Sequence, residues 1–319
     1  MRPLFALPIT MLVLACTPAD TEDTSERPTL DPPKEGFGFQ LSMEGTVEPY
    51  SEAWLCSVYP IPTTRVESVN WTEFIQNEGT HHLTLSTPSL TGHPIAPGNY
   101  NCEDLYAEML TEQIMFFGNQ GVGSGEMHLP EGIAATFPAN IDILHEVHYV
   151  NPTPEPIELY SYVNAYTIPE AEVTDRIWGG QVRDEYINIP ADSEHTEWTR
   201  CVMNEDVEVH FLASHSHEKG SLFEIARYDG ETETTGENFY SNPDWHDPMI
   251  VQYDPPLIVP AGSGFEYTCT WRNPTDQPIE YGSTSKDEMC NMSIVHTPFS
   301  MSAQCEVIAS SDGVLWDGN

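Results

Sequence analysis

The stretch His215-Ser216-His217 has a spacing that could bind a transition metal. On a β-strand, side chains two residues apart point to the same face, so two imidazoles could reach one ion. Histidines also alternate on solvent-facing strands, and an isolated pair is therefore weak evidence. Three further stretches could complete a metal site with this pair: His81-His82, Leu144-His145-Glu146-Val147-His148-Tyr149 and Asp287-Glu288-Met289-Cys290-Asn291.

The adjacent histidines His81 and His82 can share one ion only where the backbone departs from a regular strand. Neighbouring side chains of a strand point to opposite faces, so a β-bulge or a strand end is required here. Gly79 just before the pair permits this departure. The spacing alone favours the ordinary arrangement, with one histidine buried and one exposed. His145 and His148 are three residues apart, so only one can face a given side, and the spacing does not choose between them.

β-Strands must position these side chains. From residue 36 onward, Pro and Gly punctuate short runs rich in Val, Ile, Thr and aromatic residues, which predicts strands joined by turns. The predicted strands include Gly38–Met43, Thr80–Leu85, Ile141–Val150, Leu159–Thr167, Val207–Ala213, Leu257–Val259 and Phe265–Trp271. One short helix is predicted at Cys102–Met109. The fold class is therefore all-β.

Two antiparallel β-sandwich domains are expected, because one sandwich of roughly 285 residues would be large. The polar, proline-containing break at Ile168-Pro169 places the first domain at residues 36–168 and the second at residues 169–319. Each half then carries its own set of candidate ligands. This division predicts two metal centres on two domains.

The N-terminus predicts export. Met1-Arg2 is a positive start, Leu4–Leu14 is mostly apolar but too short to span a bilayer, and Cys16 follows a small residue. Residues 1–16 therefore resemble a bacterial lipoprotein signal peptide, with lipidation at Cys16 after cleavage. Residues 17–35 are predicted to be a flexible acidic tether. Thr17 rather than Asp favours the outer membrane or cell surface. The alternative is a secreted protein that loses Cys16 with its signal.

Charge excludes one class of partner. The chain of 319 residues has 11 Lys and Arg against 50 Asp and Glu, for a formal net charge of -39. Nucleic acid phosphates need cationic partners, so nucleic acid binding is excluded. No other stretch is long and apolar enough to cross a membrane, so membrane contact is expected through the lipid anchor only. The sequence identifies no protein partner.

Six cysteines remain after Cys16, an even number that favours disulfides in an exported chain. Six cysteines allow fifteen pairings. Two lie in the first half and four in the second, which predicts separately cross-linked halves. No Cys-x-x-Cys pair is present, so a thiolate zinc knuckle is not expected.

Five motifs, in order along about residues 38–305, resemble the copper type II, ascorbate-dependent monooxygenases, which include peptidylglycine alpha-hydroxylating monooxygenase and dopamine beta-monooxygenase. The motifs are Thr80-His81-His82-Leu83, Leu129-Pro130-Glu131-Gly132, Val147-His148-Tyr149, His215-Ser216-His217 and Gly282-Ser283-Thr284-Ser285-Lys286-Asp287-Glu288-Met289-Cys290-Asn291. The last motif is specific to this family, and the presence of all five motifs in the same order is strong support for the resemblance. The resemblance implies that the two β-sandwich domains are of jelly-roll type.

The resemblance also implies roles for individual residues. His81, His82 and His148 match the copper site that passes electrons, which favours His148 over His145 as a ligand. His215, His217 and Met289 match the catalytic copper site, where oxygen binds and substrate is hydroxylated. The implied disulfides are Cys56–Cys102, Cys201–Cys305 and Cys269–Cys290, while two further family bridges find no cysteines here.

The implied ligands suit copper chemically. Imidazole accommodates Cu(II) and Cu(I), and the soft thioether of Met289 favours Cu(I). Zinc gains little from methionine and cannot change its redox state. A disulfide between Cys290 and Cys269 would hold Met289 in place, which suits a weak ligand.

The sequence departs from the family pattern where substrate would bind. The peptide-amidating members carry an arginine at the position of Ala213 and a tyrosine at the position of Ser293, whereas Asn291 is retained as a candidate substrate contact. A peptide carboxylate would therefore lack its main charged partner. We expect the protein not to be a peptide-amidating enzyme.

The resemblance implies a monooxygenase with two copper ions per chain. It would hydroxylate a C–H bond of an unidentified small substrate with O2 and a reductant such as ascorbate. The alternative is a non-catalytic copper-binding surface lipoprotein, which would form no ascorbate-dependent product. A zinc-bound structural protein is the weaker third reading.

Overall fold

The computed structural model describes most of the chain. The described residues are 28–60, 66–77, 80–87, 95–108, 114–120, 123–137, 141–232, 236–282, 284, 286–300 and 302–311. The predicted signal peptide, the lipidation at Cys16 and most of the tether lie outside these residues. They remain predictions.

The first half of the chain alternates apolar and polar residues in runs that form strands around one short helix. Its elements are β1 (Gly38–Val47), β2 (Ser51–Pro60), β3 (Glu67–Gln76), β4 (Thr80–Thr87), β5 (Gly98–Asn101), α1 (Cys102–Glu108), β6 (Ile114–Gln120), β7 (Ser124–His128), β8 (Ile133–Phe137), β9 (Asp142–Asn151), β10 (Ile157–Ile168) and β11 (Asp175–Arg176). A 3-10 turn at Glu170–Glu172 follows β10.

Two sheets enclose the first core. One has the order β1-β10-β3-β8-β11, with β7 also paired to β3, and the other has the order β5-β2-β9-β4-β6. Apolar residues from both sheets share one buried cluster, for example Leu41 of β1, Val163 of β10, Leu83 of β4 and Val147 of β9. Burying these faces between two sheets removes their apolar area from water and fixes the position of β4 and β9.

The second half contains strands only, within the residues described. They are β12 (Trp178–Arg183), β13 (Asn188–Ile189), β14 (Ser193–Met203), β15 (Val207–His215), β16 (Gly220–Tyr228), β17 (Asn238–Asn242), β18 (Val251–Val259), β19 (Gly264–Asn273), β20 (Ile279–Glu280), β21 (Asn291–Thr297) and β22 (Cys305–Ser310). The sheet orders are β12-β21-β15-β18, β17-β16-β19-β14-β22 and β13-β20. The larger two share a second buried cluster that includes Val209, Ile225, Trp271 and Ile294.

The two halves pack against each other. Phe211 of β15 and Val295 of β21 belong to the first core cluster. Gly179 allows β12 to approach β6, since a Cβ at this position would lie 2.1 Å from the carbonyl oxygen of Met115. Strand ends from both halves therefore meet at one interface.

The all-β prediction is confirmed, with antiparallel pairing in the main sheets. The jelly-roll connection and the domain limits stay predictions. The predicted helix forms at Cys102–Glu108, and the last residue of the prediction, Met109, lies outside the described residues. No helix in the described part of the chain is both long and apolar enough to cross a membrane.

Candidate metal centre

A β-bulge brings His81 and His82 to the same site, as the sequence required. The register between β4 and β9 shifts between Thr80 and His82, so Thr80 lies opposite Tyr149 and His82 opposite His148. His81 is the extra residue of this irregularity. An extra residue reverses the normal alternation, which allows both imidazoles to approach His148.

Five histidine rings from both halves form one cluster. Ring centroids lie 5.2 Å apart for His81 and His82, 5.2 Å for His81 and His148, and 5.3 Å for His215 and His217. Distances between the halves are as short, at 5.4 Å from His81 to His215 and 5.3 Å from His81 to His217. The two sets of ligands are therefore divided along the sequence but not in space.

The tightest group of donor atoms joins both halves. Ring nitrogens of His81, His82 and His215 all lie within 4.8 Å of one another, so one ion could contact all three. The sequence had predicted two centres, one on each domain. The number of centres stays a prediction, and the structure brings the candidate ligands of both halves to the interface between them.

Carboxylates orient two of the rings. The Nε2 of His82 lies 2.6 Å from Oε1 of Glu146, and the Nε2 of His148 lies 2.9 Å from Oε2 of Glu52. The Nδ1 atoms of His82 and His148 are buried and have no hydrogen-bond partner. A carboxylate that accepts from one ring nitrogen leaves the other as a lone-pair donor, the arrangement that metal-binding histidines use. These two rings therefore offer Nδ1 to a metal.

Glu146 is held as a buried anion. Its carboxylate accepts hydrogen bonds from Trp54 Nε1 at 2.9 Å and from the Tyr106 hydroxyl, besides the contact with His82. Burial alone would raise the pKa of Glu146, but these donors together lower it to about 2. The carboxylate consequently stays ionised and keeps His82 oriented.

The second-half histidines present the opposite nitrogen. Nδ1 of His215 lies 2.9 Å from Oε1 of Gln120, and Nδ1 of His217 lies 2.9 Å from the carbonyl oxygen of Asp287. These acceptors leave Nε2 of each ring as the atom available to a metal. Gln120 belongs to β6 and His215 to β15, so the contact joins the two halves of the molecule.

The expected placement of His217 on a strand is wrong. β15 ends at His215, and His217 lies in the turn that leads to β16. Glu288 holds this turn, since it accepts the backbone N–H of His217 at 3.0 Å and that of Lys219 at 2.7 Å. The shared direction of His215 and His217 therefore comes from this turn and its buried carboxylate.

Met289 lies beside these rings. It lines the same cavity as His82, His215 and His217, and its Sδ accepts a hydrogen bond from Asn291 Nδ2 at 3.3 Å. The disulfide Cys269–Cys290 follows it directly in sequence. The disulfides Cys56–Cys102 and Cys201–Cys305 are also formed, so all three implied pairings are present.

Burial favours the neutral form of three clustered imidazoles, those of His81, His215 and His217. It lowers the pKa values of His81 and His215 well below the ordinary value, and the neighbouring histidines lower them further. Burial also lowers the pKa of His217 to about 4. Only a neutral imidazole has a lone pair to give, so near neutral pH these rings are ready to bind metal.

A cavity of about 620 Å³ lies next to the cluster. His82, His215, His217 and Met289 line one part of it. Ala213 and Ser293, where the peptide-amidating members carry arginine and tyrosine, also line it. A small molecule in this cavity would contact the candidate ligands.

His145 packs between the two sheets of the first half. Its ring is fully buried, and its Nε2 lies 3.0 Å from the hydroxyl oxygen of Ser161 on the facing sheet. The preference for His148 over His145 as a ligand stays a prediction.

Sequence reasoning missed the groups that orient the ligands: Glu52, Gln120, Glu146 and Glu288. Glu146 lies two residues before His148, and that spacing on a strand could have indicated a carboxylate on the same face. Glu52 and Gln120 had no local signal, because only strand pairing and the packing of the two halves bring them to the cluster.

Two solved structures found by comparison are distant likenesses. N-glycanase F is 15% identical, with 85% of this chain and 96% of that chain covered and a TM-score of 0.28. The coconut allergen cocosin is 7% identical, with 84% and 78% covered and a TM-score of 0.16. Both scores are too low to support a conclusion about fold or function.

The family comparison is specific. Residues 179–317 match the family model described as copper type II ascorbate-dependent monooxygenase, C-terminal domain. The matched region contains His215, His217 and Met289. The resemblance found in the motifs is thereby confirmed for the second half of the chain, where residues 179–317 match the C-terminal domain of the copper type II ascorbate-dependent monooxygenase family.

Proposed function

We propose that the protein is a copper-dependent monooxygenase that hydroxylates a C–H bond of a small organic substrate, with O2 and an external reductant such as ascorbate. The observation that carries the proposal is the convergence of five histidine rings, four buried and one half-buried, beside a cavity. The proposed protein comprises two jelly-roll domains, at residues 36–168 and 169–319, and binds two copper ions.

The donor set fits copper. His81, His82 and His148 would hold one ion, and His215, His217 and Met289 the other. The unpartnered Nδ1 atoms of His82 and His148 are buried polar atoms that a metal would satisfy. Imidazole and thioether donors together suit a copper ion that cycles between Cu(I) and Cu(II). When bound, copper supplies the one-electron transfers and the activation of oxygen.

The chain's own residues prepare this chemistry. Glu52 and Glu146 keep the protons of His148 and His82 on Nε2, so that Nδ1 faces the ion. Gln120 does the converse for His215, accepting from Nδ1 and leaving Nε2 free. The surrounding burial excludes water from the ligands, and the adjacent cavity positions a substrate next to them.

Copper counting and oxygen uptake test the proposal. Protein stripped with chelator, reloaded with Cu(II) and freed of excess metal should retain two coppers per chain, and His215→Ala should retain about one. Catalysis predicts substrate-dependent oxygen uptake with ascorbate that His215→Ala abolishes. One copper, retained in His215→Ala, contradicts the two-site assignment. Full copper loading without any hydroxylated product would favour the non-catalytic copper-binding alternative.

A further inference from the structure

One cationic side chain faces the cavity beside the candidate metal centre. Arg183, the last residue of β12, lines this cavity together with Ala213, Ser293, His215 and Met289. Among the described residues that line the cavity, Arg183 is the only lysine or arginine. A positive charge is unusual in a chain with 11 Lys and Arg against 50 Asp and Glu.

Strand register fixes where Arg183 lies relative to the metal ligands. Arg183 of β12 pairs with Asn291 of β21, and Asn291 pairs with His215 of β15. Directly opposed residues of antiparallel strands point to the same face, so the three form one row across the sheet. Two strand spacings separate Arg183 from His215, a backbone distance of about 10 Å. An arginine side chain spans much of that distance.

The neighbouring row lacks a charge. Gln181 pairs with Ser293, which pairs with Ala213, the position where an arginine is expected in the peptide-amidating members. Position 213 carries no cation, but Arg183 does. Arg183 lies two strands away from Ala213, in the row that contains His215.

The guanidinium of Arg183 is available to a ligand. Three other arginines of the described chain form ion pairs with carboxylates, namely Arg176, Arg200 and Arg272, whereas Arg227 donates to a backbone carbonyl. Arg183 instead contacts the hydroxyl of Tyr281, and no carboxylate within the described residues forms an ion pair with it. A guanidinium has five donors in a fork that matches a carboxylate or phosphate group, so most of its donors stay open.

A second unpartnered polar atom lies in the same row. Asn291 is buried, and its Oδ1 has no hydrogen-bond partner, whereas its Nδ2 is used only by the weak acceptor Sδ of Met289. The cavity wall has an apolar part formed by Met115, Trp178, Phe211 and Ile250, and a polar part that includes Glu146, Gln181 and Ser293. The apolar part suits an apolar ligand body and Arg183 suits one anionic group. The Oδ1 of Asn291 is an acceptor, so it suits a hydroxyl or N–H of the ligand rather than the anion.

We propose that Arg183 is a specificity-determining residue that binds the anionic group of a small organic substrate, and that the apolar wall takes the substrate body. This inference rests on the proposed function and names the substrate class of the same cavity. The guanidinium of Arg183 would hold the anion in the row of His215. The apolar body of the substrate would then lie along the cavity wall, next to the candidate ligands. The net charge of -39 repels anions in general, so recognition depends on this one local cation.

Binding of three matched probes tests the proposal. The probes 3-phenylpropanoate, 3-phenylpropanamide and 3-phenylpropylamine share a body and differ in charge. Calorimetric titration into the copper-loaded protein should show the anion binding about tenfold or more tightly than the amide, and the amine weakest. Arg183→Gln should remove that tenfold preference and leave amide binding unchanged. Arg272→Gln, which removes the same charge from an exposed ion pair on β19, should behave as the original protein.

Three results would overturn the inference: no binding of any probe, equal binding of anion and amide, or an anion preference that survives Arg183→Gln. The same titration on copper-free protein separates this inference from the proposed function. Arg183-dependent anion binding without copper retention would support the anion site and contradict the proposed monooxygenase function. Two retained coppers and oxygen uptake, with no anion preference, would support the monooxygenase function and contradict the anion site.

Discussion

Gln120 hydrogen-bonds through Oε1 to Nδ1 of His215, at 2.9 Å, across the interface between the two halves of the molecule. The Nε2 of the same amide donates to the carbonyl oxygen of Trp245, which fixes the amide orientation. A residue of the first half thus determines which nitrogen a second-half histidine can offer to a metal. The copper site proposed for the second half therefore depends on a residue of the first half for the orientation of His215.

Replacing Gln120 should weaken copper binding. Gln120→Ala frees the His215 ring to rotate and to exchange its tautomer, and loss of such an orienting partner costs about 10- to 100-fold in metal affinity. Competition titration of Cu(I) against a chromophoric chelator measures this change. Gln252→Ala is the matched control, because Gln252 also joins the two halves, donating to the carbonyl oxygen of His128 at 3.1 Å. Equal affinities for the two variants would contradict the orienting role of Gln120.

The Glu52 carboxylate should tune the other copper site. Glu52→Gln retains an acceptor for Nε2 of His148 but removes the charge, so Nδ1 becomes a poorer donor. We expect copper affinity at that site to fall by about tenfold, with little change in the melting temperature. Glu48→Gln makes the same charge change at a nearby exposed position and should leave copper affinity unaltered. A similar loss in both variants would indicate a general charge effect instead.

The Cys269–Cys290 disulfide should matter both for stability and for Met289. The bridge closes a loop with a sequence separation of 21, and removing it by double alanine substitution should lower the free energy of unfolding by about 3 kcal/mol. Cu(I) affinity should fall as well, because Met289 directly precedes Cys290 and loses its anchor. Denaturant unfolding and copper titration measure the two effects. Double substitution of Cys56 and Cys102 provides the control, for which we expect lower stability with Met289 ligation retained.

Acid should destabilise the protein partly through His145. Burial lowers the pKa of His145 to about 3, against an unfolded value of about 6.5. Below pH 6.5 the unfolded chain binds a proton that the folded chain excludes, so stability is present at neutral pH and is lost as the pH falls towards 3. Between pH 7.5 and 5 this residue should cost about 2 kcal/mol.

Unfolding of His145→Gln at these two pH values checks this expectation. Its free energy of unfolding should fall by about 2 kcal/mol less than that of the original protein over this interval. His128→Gln, at an exposed position, serves as the control substitution. An identical fall in the original protein and His145→Gln would show that His145 does not contribute.

The sequence by itself determined what depends on short-range periodicity and on residue chemistry. Alternation of apolar and polar residues predicted the strands. The adjacency of His81 and His82 allowed them to share one ion only with a bulge or a strand end, and the register between β4 and β9 contains the bulge. The family resemblance of the motifs implied imidazole and thioether ligands, which suit copper, before any distance was known. Spacing failed at His217, because the strand ends two residues earlier and a buried Glu288 decides the direction of the ring.

Only the tertiary structure decided which residues meet and through which atoms. The histidines of the two halves are separated by long stretches of sequence, and their convergence depends on how two sheet pairs pack, which no local pattern encodes. The partners Glu52 and Gln120 reach the cluster through strand pairing and interface packing, and Arg183 joins the row of His215 through the register of β12 and β21. Long-range register and packing between the halves are therefore what turn the ligand types of this sequence into one site beside one cavity.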